Sequence, residues 1–324
     1  MGEKNFVHEK DTKALLTVFI EQHKAGSPTQ SGLYWIRLSP RELNHFFYEA
    51  HHIRVSNGLI KRLLKELGYK SRKMSKQLAT GSYAQRDAQF TIIFNLVAIM
   101  SLESPIISID CKKKERLGNL YRDGNCYATA AQEVYDHDYE HLAEGKVIPH
   151  GIYDLQANIG YVSIGASHET AEFIIDNLTW WWFEYGIHKY PDAQNILLLC
   201  DAGGGNSYRH HVFKQELLRL ATKIGLSIIV THYPPYASKW NPIEHRLFCH
   251  VHAAMSGAVL SDYNIVKQLI EKTYTQNGLK VIVRQNLKHY QKGIKGDKNV
   301  QYDKRIMKHS TIPELNYRII PENV

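Results

Sequence analysis

Three acidic side chains of this 324-residue chain stand where they could act together. Asp110 ends a β-branched run at 106–109, Asp201 ends an apolar run at 196–200, and Glu244 lies in the motif WNPIEHRLF. Carboxylates at the tips of neighbouring strands, with a third on the first turn of a helix, can converge on divalent ions, and hard oxygen ligands suit Mg²⁺ or Mn²⁺. Two such ions can activate a nucleophile and stabilise the leaving oxygen of an in-line displacement at phosphate. The three acids therefore predict phosphoryl transfer that depends on two Mg²⁺ (or Mn²⁺) ions.

Each acid taken alone also has a structural interpretation. A single aspartate at the end of a strand is more often a turn or cap residue. The residues NPIE at 241–244 form a capping-box pattern that would explain Glu244, and the glycines at 203–205 could be a flexible exit from the strand. The order and setting of the three acids together favour the catalytic interpretation.

The segments around the acids alternate between strand and helix patterns. Short apolar runs predict strands at 106–110, 150–154, 160–164, 196–200 and 226–231. Helical spacing predicts helices at 171–185 and 208–224, and a further helix that starts near Asn241. Strands first, followed by alternating strands and helices, predict an α/β fold with a mixed sheet flanked by helices.

Two short helices are predicted ahead of this region. Ser39, Pro40 and Glu42 read as an N-cap, a first helical residue and the partner of a capping box. Ser56 is a second N-cap, and Gly68 closes the second helix. Helices joined by a tight turn predict a helix-turn-helix, although a helical hairpin with solvated lysines is the alternative. The basic residues expected to contact DNA are Lys61, Arg62, Lys65, Lys70, Arg72 and Lys73.

These patterns divide the chain into five expected segments. They are an N-terminal segment at 1–30, the helix-turn-helix region at 31–80, a helical linker at 81–104, a catalytic core at 105–277 and a C-terminal extension at 278–324. The N-terminal segment is polar and weakly patterned apart from an apolar run at 14–20.

The composition points to a polyanionic partner and excludes several classes of protein. A net charge of +8 favours binding to nucleic acid. The four cysteines contain no CxxC pair, so neither a disulfide framework nor a zinc site is predicted. The most apolar stretch, at 91–102, is too short to span a bilayer, and the absence of a phosphate-loop motif argues against a nucleotide cofactor. We expect a cytoplasmic protein without membrane segments.

Three consecutive tryptophans at 180–182 could stack on DNA bases. Their position on an amphipathic helix favours packing in the core for Trp182 at least. The sequence leaves both interpretations open for the other two.

Several motifs in order resemble one group of DDE enzymes, the ISAzo-thirteen family of insertion-sequence transposases. The motifs are LLKELGY at 63–69, RDAQF at 86–90, SIDCKKKE at 108–115, GIYDL at 151–155, DAGGGN at 201–206, SKWNPIEHRLF at 238–248, GIK at 293–295 and ELNY at 314–317. The prolines of YPP at 233–235 resemble the approach to the last glutamate of DDE transposases more widely. The resemblance runs from about residue 25 to the end of the chain.

This resemblance implies a ribonuclease H-like core with Asp110 on its first strand, Asp201 on its fourth and Glu244 on a following helix. It implies nicking of double-stranded DNA at the element ends, then attack of the freed 3′-hydroxyl on target DNA by a homo-oligomer. The accessory residues beside the site would be Lys239, Trp240 and His245, with phosphate or water as their contacts.

Two alternatives to an active transposase remain open. Family members usually carry a longer DNA-reading segment before the helix-turn-helix, and we expect it to be largely missing here. The first alternative is therefore a shortened, catalytically impaired copy that acts only as a DNA-binding protein. The second is a ribonuclease H-like nuclease without joining activity.

Overall fold

The computed structural model describes residues 3–26, 32–72, 84–100, 103–135 and 140–322. The chain forms two compact units, Met1–Leu78 and Ala79–Val324. None of the helices in these described ranges combines the length and hydropathy that a membrane span requires.

The first unit contains three helices and a short hairpin. Its elements are α1 (Glu3–Gln22), β1 (Ala25–Gly26), β2 (Tyr34–Trp35), α2 (Pro40–His51) and α3 (Asn57–Glu66). The predicted capping box starts α2: the Glu42 N–H donates to Ser39 Oγ (3.3 Å), and the Ser39 N–H donates to the Glu42 carboxylate (2.7 Å). Ser56 caps α3 by accepting from the Leu59 N–H (3.1 Å). Both helix starts therefore follow from local sequence.

The helix α1 is longer than the weak pattern of residues 1–30 predicted. Leu16, Phe19 and Ile20 of α1 are buried against α2 and α3. The other buried members of this core are Leu43, Phe47, Ile60 and Leu63. Two short helices alone bury little apolar surface, so α1 completes the hydrophobic core of the unit.

The second unit is built on one large sheet. Its helices are α4 (Arg86–Ile99), α5 (Ala171–Trp181), α6 (Ile187–Lys189), α7 (His211–Ile224), α8 (Cys249–Ala254) and α9 (Tyr263–Glu271). Its strands are β3 (Ile106–Cys111), β4 (Glu115–Leu117), β5 (Gly145–Asp154), β6 (Ile159–Gly165), β7 (Asn195–Cys200), β8 (Ser227–His232), β9 (Lys280–Asn286), β10 (Ile306–Lys308) and β11 (Asn316–Ile319).

The pairing of these strands gives the mixed sheet that the sequence predicts. The order across the sheet is β10-β11-β8-β7-β3-β5-β6-β9, and β4 pairs with β5. β3, β7 and β8 are parallel, whereas β5 is antiparallel to both β3 and β6. The fold is the predicted α/β fold, a mixed sheet flanked by helices.

Alternate residues of the strands face different helices. Ile107 and Ile109 of β3 are buried with residues of α5 and α7, and Ile106 is buried with Ile93 of α4. This period of two leaves Ser108 and Asp110 on the side opposite α5 and α7. Trp182 lies in the core with α5, as its helical position predicted.

The segments on both sides of the predicted catalytic core belong to the same unit. In the segment at 278–324, β9 is parallel to β6 and β11 is antiparallel to β8. In the linker, the Gln89 side chain of α4 donates to the His232 carbonyl (2.8 Å) and to Asn316 Oδ1 (2.9 Å). Gln89 is fully buried, so this network joins α4 and β11 to the end of β8.

Candidate active site

Asp110 and Asp201 lie next to each other at the carboxyl ends of two parallel strands. Ile109 of β3 pairs with Cys200 of β7, and each aspartate is the next residue along its own strand. Neighbouring strands are separated by about 5 Å. The topology therefore brings together two acids that are far apart in sequence.

A buried hydrogen-bond network holds the turn before Glu244 against β3. The Asn241 side chain accepts from Ser108 Oγ and donates to the Ile109 carbonyl (3.3 Å). The Ile243 N–H donates to Ser108 Oγ (3.3 Å). Asn241 and Ser108 are both fully buried. The start of the helical segment that carries Glu244 is thus attached to the strand that carries the first acid.

This network shows that the capping-box interpretation of residues 241–244 is wrong. The Asn241 side chain bonds to β3 rather than to the first turn of the helix. The Glu244 N–H instead donates to the Asn241 backbone carbonyl (3.1 Å). The Glu244 carboxylate is therefore not explained by a role as a cap.

Glu244 begins a π-helical turn, Glu244–Phe248, that continues into α8. Two glycines of the strands leave the space in which this turn packs against the sheet. A Cβ at Gly151 would lie 2.6 Å from the Phe248 ring, and a Cβ at Gly160 would lie 2.3 Å from Leu247. Gly151 pairs directly with Asp110, so the absence of a side chain there allows the Glu244 turn to approach the first acid.

Nearby carboxylates act electrostatically on both aspartates. Burial raises the pKa of Asp110 to about 9, and the negative charges of Asp201 and Glu244 contribute to the rise. Burial also raises the pKa of Asp201 to about 6, against hydrogen bonds from Gly203 and Asn206. Like charges held together away from water favour a bound proton or a bound cation.

The donor set of the site fits a divalent metal. Asp201 Oδ1 is buried and has no hydrogen-bond partner among the described residues, while Asp110 Oδ1 accepts from the adjacent Cys111 N–H (2.7 Å). Within the described ranges, no three His, Cys, Asp or Glu side chains are already arranged as a closed metal cluster. The available carboxylate oxygens nevertheless match the hard ligands that Mg²⁺ and Mn²⁺ prefer.

His232 is a buried neighbour of Asp201 that the sequence did not single out. Its Nδ1 lies 2.9 Å from the Asp201 carbonyl, and its Nε2 lies 3.1 Å from the Tyr317 hydroxyl. A carbonyl can only accept, so Nδ1 carries the proton and Nε2 accepts from Tyr317. The ring is neutral, since burial lowers the pKa of His232 to about 4. Only the pairing of β11 with β8 shows that Tyr317 reaches this position.

Glu169 is a fourth carboxylate beside the three predicted acids. It accepts from the Gly205 N–H (3.3 Å), and a Cβ at Gly204 would lie 2.5 Å from its Oε1. Its charge also acts on Asp201. A cavity of about 250 Å³ opens here, and its lining includes Lys114, Glu169, Gly204, Gly205, His210 and Lys292. A larger cavity of about 820 Å³, along α7 and residues 297–305, includes none of the acids.

Two of the predicted accessory residues lie on the loop before Glu244, and the third, His245, directly follows Glu244. Lys239 and Trp240 are exposed in a short 3₁₀ turn, Ser238–Trp240. His245 is also exposed, and its Nε2 contacts the Lys239 carbonyl. Because a carbonyl oxygen only accepts, Nε2 carries the proton, and the imidazole is hydrogen-bonded to the backbone of the loop that contains Lys239.

The predicted DNA-contacting residues lie in the first unit. Lys61, Arg62 and Lys65 are exposed on α3, and Lys70 and Arg72 are exposed just after it. Lys73 lies outside the described residues. The described side chains form a basic, solvent-facing surface that matches a polyanionic partner.

A family model described as the Rhodopirellula transposase DDE domain matches residues 15–321. The chain belongs to this family of DDE transposases. The match covers nearly the whole chain and confirms the resemblance to the ISAzo-thirteen family. No curated protein matches the chain in sequence.

Solved structures of the Mos1 transposase are similar to this chain. The Mos1 paired-end complex with the left transposon end shares 15% identity, covers 76% of this chain and 74% of its own, and has a TM-score of 0.45. The Mos1 strand transfer complex shares 14% identity, covers 80% and 69%, and has a TM-score of 0.44. The Mos1 mariner paired-end complex with Mn shares 14% identity, covers 76% and 74%, and has a TM-score of 0.44.

Proposed function

We propose that this transposase cleaves DNA at the ends of its element and joins the freed 3′-hydroxyl ends to target DNA. The observation that carries the proposal is the meeting of Asp110 and Asp201 on adjacent parallel strands, with Glu244 attached to the same edge through Asn241. Family membership supports the same chemistry. Clustered carboxylates of this kind serve phosphoryl transfer.

Asp110, Asp201 and Glu244 would hold two Mg²⁺ or Mn²⁺ ions. When bound, such ions supply Lewis-acid stabilisation of the phosphate and a nucleophile that is active at neutral pH. The three carboxylates contribute the negative charge that draws cations to this edge. His232 and Glu169 would keep the Asp201 segment in place, since they bond to the Asp201 carbonyl and the Gly205 N–H respectively.

The DNA partner is double-stranded DNA of the element ends and of the target. Lys61, Arg62 and Lys65 would contact phosphates or bases from α3, as the second helix of a helix-turn-helix does. Lys70 and Arg72 would extend this contact, and Lys239 and His245 would act near the site. We further propose that the protein acts in the cytoplasm as a homo-oligomer on paired ends.

The test is a cleavage and joining assay on labelled DNA that carries the element ends. We expect nicked and joined products with Mg²⁺ or Mn²⁺, and none with a chelator. Asp201→Asn and Glu244→Gln should abolish both products while DNA binding is retained. Glu271→Gln is the matched control, because Glu271 is exposed on α9 and pairs with Lys267 of the same helix, and it should cleave at the normal rate.

The products also distinguish the two alternatives. Binding without any product would indicate a DNA-binding copy. Nicking without joining would indicate a nuclease. Normal activity in Asp201→Asn would refute the assignment of the acids.

A further inference from the structure

Exposed aromatic side chains lie beside the candidate active site. Phe94 of α4 is 67% exposed and Trp240 is 53% exposed. Phe90 lies between them, with its ring centre 6.3 Å from that of Phe94 and 6.0 Å from that of Trp240. We refer to Phe90, Phe94 and Trp240 as the aromatic surface. Large apolar side chains in water are unfavourable, so a contiguous group of them calls for a partner.

The hydrogen bonds of the adjacent residue fix Trp240 at the edge of the site. Asn241 follows it directly and is bonded to Ser108 and to the Ile109 carbonyl, one residue before the first acid. The Trp240 N–H donates to the Ala237 carbonyl (2.9 Å). The indole is therefore presented from a hydrogen-bonded turn next to the residues that hold the first acid.

Cations accompany two of these rings. Lys239 Nζ lies 5.6 Å from the centre of the Trp240 ring, and the Arg86 guanidinium lies 5.8 Å from the centre of the Phe90 ring. Rings that stack on bases, next to cations that neutralise phosphates, are the shared feature of single-stranded nucleic-acid sites. A purely apolar protein partner would gain nothing from these charges.

The loop that presents Trp240 also contains a strained tyrosine. Tyr236 has φ +64°, and the turn is closed by the Ala237 N–H donating to the Pro234 carbonyl (3.0 Å). Glycine or asparagine is favoured in this left-handed conformation. The Tyr236 ring is 64% exposed, so core packing does not offset the strain. Strain of this kind is retained where it serves a function.

The tryptophan run at 180–182 does not offer a comparable surface. Trp181 and Trp182 are buried in the core with α7 residues. Trp180 is half-buried and packs against the same core. The stacking role therefore falls to the loop tryptophan.

We propose that the aromatic surface stacks on unpaired bases of the DNA strand at the active site, with Lys239 and Arg86 contacting the adjacent phosphates. The inference rests on the proposed function, because it takes the DNA strand as the ligand. Stacking compensates for the base pairing that is lost when a strand leaves the duplex. An unpaired strand can then bring its phosphate to the half-buried carboxylates of Asp110 and Asp201.

The test measures binding of a fluorescently labelled single-stranded oligonucleotide and of the blunt duplex of the same sequence, in EDTA. Trp240→Ala should weaken single-strand binding about 5- to 150-fold, the effect of losing one stacked base, and leave duplex binding unchanged. Trp240→Phe should retain most of the single-strand affinity. Tyr274→Ala removes another ring, 82% exposed, and should change neither affinity.

A second variant and a second probe keep the inference testable if Trp240→Ala does not fold. Phe94→Ala, on α4, should weaken single-strand binding in the same direction. A 2-aminopurine base placed next to the cleaved bond should be quenched by the wild-type protein and not by Trp240→Ala. Circular dichroism checks that each variant is folded.

Several results would overturn the inference. One is an unchanged single-strand affinity in Trp240→Ala, and another is an equal loss of affinity for the single strand and the duplex. A third is a change in the oligomeric state of Trp240→Ala without DNA, which would make the aromatic surface an interface between copies of the chain. Because the readout is binding without metal, a failure of cleavage in the wild-type protein would refute the proposed function and leave this test intact.

Discussion

A single methyl group at Gly151 tests the geometry of the site. A Cβ there would lie 2.6 Å from the Phe248 ring and 2.8 Å from Ile243, whereas ordinary contacts begin at 3.4 Å. Ile243 and Phe248 stand on either side of Glu244 in sequence, so we expect relief of the overlap to displace the Glu244 turn by up to about 1 Å. Overpacking of this kind costs about 1–3 kcal/mol of unfolding free energy. A catalytic group displaced by about 1 Å loses on the order of 100-fold in rate.

The assay for Gly151→Ala is single-turnover cleavage of labelled element-end DNA in Mg²⁺, below the melting temperature of both proteins. We expect the rate to fall about 100-fold with unchanged affinity for the DNA. The double variant Gly151→Ala/Phe248→Leu makes room for the methyl group and should recover part of the rate.

Two results would refute the reasoning. Wild-type melting and wild-type cleavage in Gly151→Ala would show that the helical turn does not depend on the missing side chain. Parallel losses of cleavage and DNA affinity would show a general loss of folding instead of a displaced carboxylate.

Three further changes have defined outcomes. Asn241→Ala removes the side-chain partner of the Ser108 hydroxyl and the Ile109 carbonyl. It should lower the free energy of unfolding, measured by urea denaturation, by about 1–3 kcal/mol, and it should reduce cleavage more than DNA binding. Tyr317→Phe removes the donor to the buried Nε2 of His232 and should cost a similar amount, about 1–3 kcal/mol, in the same measurement. The Asp110 pKa is raised from 3.8 to about 9, so its contribution to stability is fully present below about pH 4 and is lost as the pH rises through about 9. In EDTA, the melting temperature of Asp110→Asn should therefore be higher than that of the wild type at mildly alkaline pH and the same near pH 4. Equal melting temperatures at both pH values would contradict the raised pKa.

The local elements of the fold could be predicted from the sequence. The strands at 106–110 and 196–200 appear as Ile106–Cys111 and Asn195–Cys200, and the helix starts at Ser39 and Ser56 carry the expected caps. These signals depend on residues a few positions apart, so they can be recognised in the sequence without knowledge of the fold. The helix α1 was not predicted in full, because its pattern acquires a clear apolar face only against α2 and α3.

The candidate acids could also be proposed from their types and order. Asp110 lies at the end of one strand and Asp201 directly follows another, and parallel pairing brings them to one edge. Their catalytic and metal-binding roles remain predictions, as do the DNA contacts of Lys61, Arg62 and Lys65. The sequence also suggested Asn241 as a cap, and this was wrong because its true partners lie on β3, more than 130 residues away.

The sequence by itself determined the family and the elements that carry the acids, since caps, period-two strands and ordered motifs are local or linear properties of the chain. Only the tertiary structure decided how the acids are held: the Asn241 link to β3, the close approach at Gly151, and the contact of His232 with Tyr317. Each of these depends on atoms from segments distant in sequence. Which distant surfaces meet is set by sheet order and side-chain packing together, and no local pattern encodes that choice.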